Sequence, residues 1–280
     1  MQRLEFKGRK GLVLVADALG DDRAMPILMF PGGGQTKRSW QRTAEALADR
    51  GYRAIAVDLR GHGESAWDSD GDYSIAAFAD DITAVVRAMN QPPVVIGASI
   101  GGVAATIALG ENQQLPVRAL VIVDIVPRPQ HEGIEKIRSF MRAGLDGFAS
   151  PAEAAEQVSA YLPHRPPRTA ESLAANLRQE SNGRWYWHWD PAFQQNSKTR
   201  RGEEIFSRMQ RATHDISIPI MLVTGQRSEV VDESAIKNFL ESMQNGRWVS
   251  VTDAAHMVAG DANTPFSTAI IDFIEALPNH

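Results

Sequence analysis

A serine set between glycines, Gly97-Ala98-Ser99-Ile100-Gly101, follows the β-rich run Val94–Gly97 and precedes a small-residue helical run, Gly101–Leu109. A sharp strand-to-helix turn at this point lifts the serine oxygen out over a sheet edge, and the flanking glycines leave room for neighbouring backbone. A serine hydroxyl is a weak nucleophile until a base takes its proton. The base expected with such a turn is a histidine on a loop after the last strand. Of the seven histidines, only His256 meets that condition: Val249-Ser250-Val251 reads as the strand and Asp253-Ala254-Ala255-His256 as the loop. His62, within Gly61-His62-Gly63, reads as a turn residue. His131, His164, His188 and His214 fall in or beside a helical insertion, and His280 is the last residue. His188 is read as packed or exposed ahead of pocket-lining.

These groups need elements that carry them to one place. Leu12–Ala16, Ile27–Phe30, Arg53–Asp58, Val94–Gly97 and Ala119–Asp124 read as strands. Arg38–Arg50 and Ile75–Met89 read as helices between them, the second with Ser74 as N-cap. Alternation of this length predicts βαβ units and a mainly parallel sheet. From Pro127 to Arg211 no convincing strand appears, only helical patches interrupted by prolines and Gly183. The alternation resumes with strands at Ile220–Thr224 and Arg247–Val251 and helices at Asp232–Met243 and Thr264–Leu277. The expectation is an α/β fold with a mainly parallel sheet of about eight strands flanked by helices. Its core comprises residues 1–126 and 212–280, and a helical cap, 127–211, follows the sixth strand and rests over the C-terminal strand ends.

Composition narrows the function classes. A net charge of −5 gives no basic footprint for nucleic acid or an anionic membrane. With no cysteine, disulfides, thiolate catalysis and Cys-ligated zinc are excluded, which suits a cytoplasmic setting. No apolar stretch approaches the length of a membrane span. The first residues, Met1-Gln2-Arg3-Leu4-Glu5, lack a charged segment followed by an apolar run, so no secretory signal is expected. The chemistry requires no metal or organic cofactor, and the oligomeric state is not legible.

Four segments in order, Phe30-Pro31-Gly32-Gly33, Asp58-Leu59-Arg60-Gly61-His62-Gly63-Glu64-Ser65, the Ser99 pentapeptide and Ala255-His256, resemble the α/β-hydrolase superfamily. The resemblance is to its serine esterase and perhydrolase branch with a helical cap, often loosely labelled epoxide hydrolase. Epoxide hydrolases and haloalkane dehalogenases carry aspartate as nucleophile, so Ser99 argues against both. The resemblance implies an oxyanion hole from the backbone N–H groups of Gly33 and Ile100. It implies that Asp58 and Arg60 are structural. The family's commoner acid position, after the strand at Ile220–Thr224, is occupied here by Ser228, with Glu229 next. Other members place the acid after the preceding strand, where this chain has Asp124. Asp124 is favoured and Glu229 is the alternative.

The resemblance implies hydrolysis of a small or medium hydrophobic carboxylic ester, lactone or thioester through an acyl-enzyme on Ser99. C–C bond hydrolysis and perhydrolysis use the same parts, and a non-catalytic small-ligand binder is the alternative of a different class. Trp40, Trp187, Trp189 and Met257 are candidates for the pocket wall. The Trp185, Trp187 and Trp189 run equally suits indoles that glue the cap to the core.

Overall fold

Apolar strands alternating with amphipathic helices fold, in the computed structural model, into a sheet covered on both faces. The structure describes residues 1–163, 165–174, 176–195, 202–261 and 263–278. The first half runs β1 (Gln2–Lys7), β2 (Val13–Leu19), β3 (Pro26–Phe30), α1 (Gln41–Asp49), β4 (Arg53–Val57), α2 (Ile75–Arg87), β5 (Val94–Ala98), α3 (Ile100–Glu111) and β6 (Ala119–Val123). The insertion contributes α4 (His131–Ala143), α5 (Pro151–Tyr161), α6 (Ala170–Ala174), β7 (Leu177–Gln179), β8 (Trp185–Trp187), α7 (Ala192–Gln195) and α8 (Gly202–His214). The chain closes with β9 (Ile220–Gly225), α9 (Glu233–Glu241), β10 (Gly246–Val251), α10 (Val258–Asp261) and α11 (Asn263–Glu275).

Among the described residues, eight strands form the main sheet in the order β1-β2-β4-β3-β5-β6-β9-β10. β1 and β2 are antiparallel to their neighbours, and the remaining pairs are parallel. Strand side chains alternate between two apolar clusters. Leu28 and Phe30 join the face covered by α2 and α3, whereas Ile27 and Met29 join the face covered by α1 and α11. The parallel order brings the C-terminal ends of β3, β5, β6 and β9 to one edge, where the loops carrying chemistry gather.

Three features depart from the sequence expectation. β1 alternates polar and apolar residues at the sheet edge, and its charges left it without a clear strand signal. Within the insertion, β7 and β8 form a short antiparallel pair that the helical reading did not contain. α8 runs through the boundary expected at 211/212 and packs on α3, with Gly110 so close to the Ala212 carbonyl that a Cβ would stand 2.1 Å away. No helix among the described residues is long and apolar enough to cross a membrane.

Candidate active site

Ser99 sits between β5 and α3 with φ +48° and ψ −118°. Non-glycine residues rarely hold such a conformation, which costs about 1–3 kcal/mol and persists only where the surroundings enforce it. Here packing of backbone on backbone does so. A Cβ on Gly97 would stand 2.5 Å from the Gly101 carbonyl oxygen, and one on Gly101 would stand 2.6 Å from that of Phe30. The two glycines are thus sterically required, as the sequence argument expects.

His256 lies in the loop after β10, and its Nδ1 is 2.8 Å from Oδ2 of Asp124, just past β6. Asp124 is fully buried and accepts two further hydrogen bonds: Gly225 N–H donates to Oδ1 (2.9 Å) and the Ser228 hydroxyl to Oδ2 (2.6 Å). A carboxylate with both oxygens held in this way can fix one imidazole tautomer, leaving Nε2 as the free base. Glu229 is elsewhere. Its exposed carboxylate pairs with Lys136 of α4 at 2.6 Å. A serine one turn beyond a strand, as Ser228 is, carries no signal of its own in the sequence. It occupies the position where a carboxylate was sought, and it donates to the carboxylate that stands across from it.

Gly32 packs beneath Ser99, since a Cβ there would lie 3.4 Å from Ser99 Cβ. Its N–H donates to Gln35 Oε1 (3.3 Å). The next residue, Gly33, neighbours Ile100, and neither backbone N–H donates to another protein group among the described residues. Phe193 covers this turn, and Gly34, at φ +76°, packs against Met141 and Trp189.

A histidine from the insertion reaches the turn that follows Pro31. Gly63 N–H donates to His188 Nδ1 (2.9 Å), so the Nε2 proton faces the Gly34 carbonyl at 3.3 Å. Burial, reinforced by His62, lowers the His188 pKa from 6.5 to about 3, so the ring is neutral. His188→Phe removes both bonds and is expected to lower kcat about tenfold with little change in KM, a fraction of what loss of an oxyanion donor costs. Affinity for a transition-state analogue such as a boronic acid should fall in parallel. Between pH 6.5 and 3 the unfolded chain binds a proton at position 188 that the folded chain refuses, so wild-type stability falls as the pH falls through this range. The variant should lose that part of the slope. Unchanged kinetics and an unchanged slope would remove this positioning role.

Ser99, His256, Gly33 and Ile100 all line one cavity of about 740 Å³ between core and insertion. Met257 and Trp40 line it as well, although Trp40 is almost wholly buried and packs against Phe266. Trp187 and Trp189 do not line it. They stack on each other at 5.0 Å, with Trp187 edge-on to Phe148, and act as packing within the insertion and against Gly34. The apolar wall expected from them comes instead from Ile134, Ile137, Phe140 and Met141 of α4. Nor is the cavity uniformly apolar: Arg38, Arg42, Arg138, Arg165 and Arg168 also border it. His62 is buried with Nδ1 on the Arg60 carbonyl, and Asp58 accepts from the Lys37 and Glu64 amides, so both serve the turn they lie in. His164 and His280 lie outside the described residues.

Residues 25–262 match the family model described as alpha/beta hydrolase fold. An esterase of Mycobacterium tuberculosis is 28% identical over 84% of this chain and 78% of its own length. The 2-(acetamidomethylene)succinate hydrolase of Mesorhizobium japonicum is 27% identical over 89% of this chain and 88% of its own. A solved structure of an E-2-(acetamidomethylene)succinate hydrolase superposes with a TM-score of 0.84 at 22% identity, covering 98% of this chain and 99% of that one, a likeness of fold. The chain belongs to the alpha/beta hydrolase fold family and is related over most of its length to esterases and other hydrolases.

Proposed function

We propose that this protein hydrolyses a small carbonyl compound, a carboxylic ester in the first instance, through an acyl-enzyme on Ser99. The observation that carries the reading is the buried Asp124 carboxylate on His256 Nδ1 at 2.8 Å, with Ser99 on its strained turn in the same cavity. With Nδ1–H donated to Asp124, His256 Nε2 takes the hydroxyl proton as Ser99 attacks the carbonyl carbon. The developing oxyanion is held by the Gly33 and Ile100 N–H groups, which have no competing acceptor among the described residues. His256 then passes its proton to the leaving alkoxide, and water, activated by the same imidazole, releases the acid. Lactones and thioesters fit the same steps. Relatives named esterase and succinate-derivative hydrolase support hydrolysis of a small molecule.

A fluorophosphonate probe tests the reading directly. Wild type is expected to be labelled stoichiometrically on the peptide bearing Ser99, with Ser99→Ala unlabelled. Failure to label wild type, or equal labelling of the variant, overturns the assignment.

A further inference from the structure

The cavity over Ser99 is bordered by more positive charge than an uncharged ester requires. Arg38 and Arg42, in and just after the turn preceding α1, approach from the core; Arg138 on α4 and Arg165 and Arg168 after α5 approach from the insertion. Glu45 is the only carboxylate among the described residues lining the cavity, and it already accepts from Gln41 Nε2 (3.1 Å). The chain as a whole is acidic, at −5, so this concentration does not follow from composition.

Part of that charge has no ion-pair partner among the described residues. Arg138 bonds Glu135 at 2.6 Å, and Arg165 Nη2 donates to the Met257 carbonyl beside the base (3.2 Å). Arg38, Arg42 and Arg168 make no contact-distance ion pair among the described residues, Arg38 acting on Glu64 only from farther off, although carboxylates outnumber basic residues, 34 to 29. Guanidinium groups gathered from two sides of a cleft repel one another, an effect that solvent screens but the cleft still focuses. An anion bound between them removes the repulsion, and the planar guanidinium fork matches the oxygen pairs of carboxylates and phosphates.

We propose that the compound cleaved at Ser99 is anionic, carrying a carboxylate or phosphate group held by this arginine wall. The proposal rests on the hydrolase reading above. The anion has two sources, a carboxylate on the acyl chain or phosphate on the leaving group, and the layout separates them. Arg38 and Arg138 border the main cavity alone. Arg42, Arg165 and Arg168 also line an adjoining groove of about 440 Å³, where Arg227 is paired with Asp253 at 2.5 Å. A short dicarboxylic half-ester engages the first pair, and a phosphorylated carrier reaches the second group.

Two matched substrate pairs test this: p-nitrophenyl hemiglutarate against p-nitrophenyl valerate, and valeryl-coenzyme A against valeryl-N-acetylcysteamine. The charged member of at least one pair is expected to show kcat/KM at least about tenfold higher at low salt, an advantage that shrinks as salt is added. Arg38→Gln with Arg138→Gln should collapse the ratio for the first pair if the anion is an acyl carboxylate. Arg42→Gln with Arg168→Gln should collapse it for the second if the anion is a carrier phosphate. Because Arg38, Arg42 and Arg168 are exposed and make no ion pair among the described residues, replacing them removes no buried contact there. Equal or better turnover of the neutral member in both pairs, or ratios unmoved by the substitutions, overturns the anion proposal while Ser99 still takes the fluorophosphonate. Loss of that labelling in wild type overturns the hydrolase reading instead.

Discussion

Replacing Asp124 with asparagine is expected to lower ester turnover on the order of 10⁴-fold, whereas Glu229→Gln should leave it within about twofold. The asymmetry follows from position. Asp124 is buried and bonded to His256, while Glu229 is exposed and bonded to Lys136. An asparagine keeps the shape but offers His256 the wrong tautomer and no charge for the imidazolium that forms as Ser99 loses its proton. Stability should change less than activity, and fluorophosphonate labelling of Asp124→Asn should slow rather than vanish. Adding Ser228→Asp to Asp124→Asn is expected to restore part of the loss, because Ser228 Oγ stands 2.6 Å from the Asp124 carboxylate and a carboxylate at 228 approaches the same imidazole. Steady-state kinetics of the four proteins check the scheme. Full activity in Asp124→Asn, or a collapse confined to Glu229→Gln, would reverse the assignment of the acid.

The largest stability loss is expected at the pair formed by Arg60 and Asp81. Arg60 is completely buried after β4 and grips Asp81 of α2 through Nε (2.6 Å) and Nη2 (2.8 Å). Asp81→Asn leaves a buried guanidinium short of one charge and should cost about 3–5 kcal/mol, at the lower end because Asp68 (3.0 Å) and the Asp72 carbonyl (2.9 Å) still hold Nη1. Replacing both partners, Arg60→Met with Asp81→Leu, should cost less than the single change, since the one charge left behind, Asp68, keeps the Asp70 and Asp72 amides as donors. Chemical denaturation of the wild type and the two variants measures this. A double variant less stable than Asp81→Asn would contradict the desolvation argument. The pair matters to the site because Arg60 opens the turn whose Gly63 amide anchors His188, and His188 in turn faces the Gly34 carbonyl.

Much of this architecture was legible from local pattern. Strand and helix alternation, the Ser99 turn and the His256 loop each depend on residues a few positions apart, and hydrophobic period and glycine sterics register at that range. Gly97 and Gly101 are required by contacts with backbone that the turn itself brings near. The choice between Asp124 and Glu229 was not local. The two residues lie 105 positions apart, and what separates them is which carboxylate points inward, a matter of how β6 and β9 pair and where Lys136 of α4 falls.

The insertion was the least legible part. Its indoles alternate as a pocket wall would, yet Trp187 and Trp189 stack within the cap and against the Gly34 turn. Its arginines stand out by no local pattern, since a charged residue in a loop or opposite an apolar helix stripe normally meets water. Only the folding of the cap across the C-terminal strand ends turned Arg138, Arg165 and Arg168 toward Arg38 and Arg42. The sequence by itself determined the α/β frame and singled out Ser99 and His256 as the candidate nucleophile and base, because strong local rules govern each. The tertiary structure decided which carboxylate meets His256, which histidine reaches the Gly34 carbonyl and what charge lines the cavity. Those are contacts between segments distant in the chain, and no local period or spacing encodes which of several suitable side chains will meet.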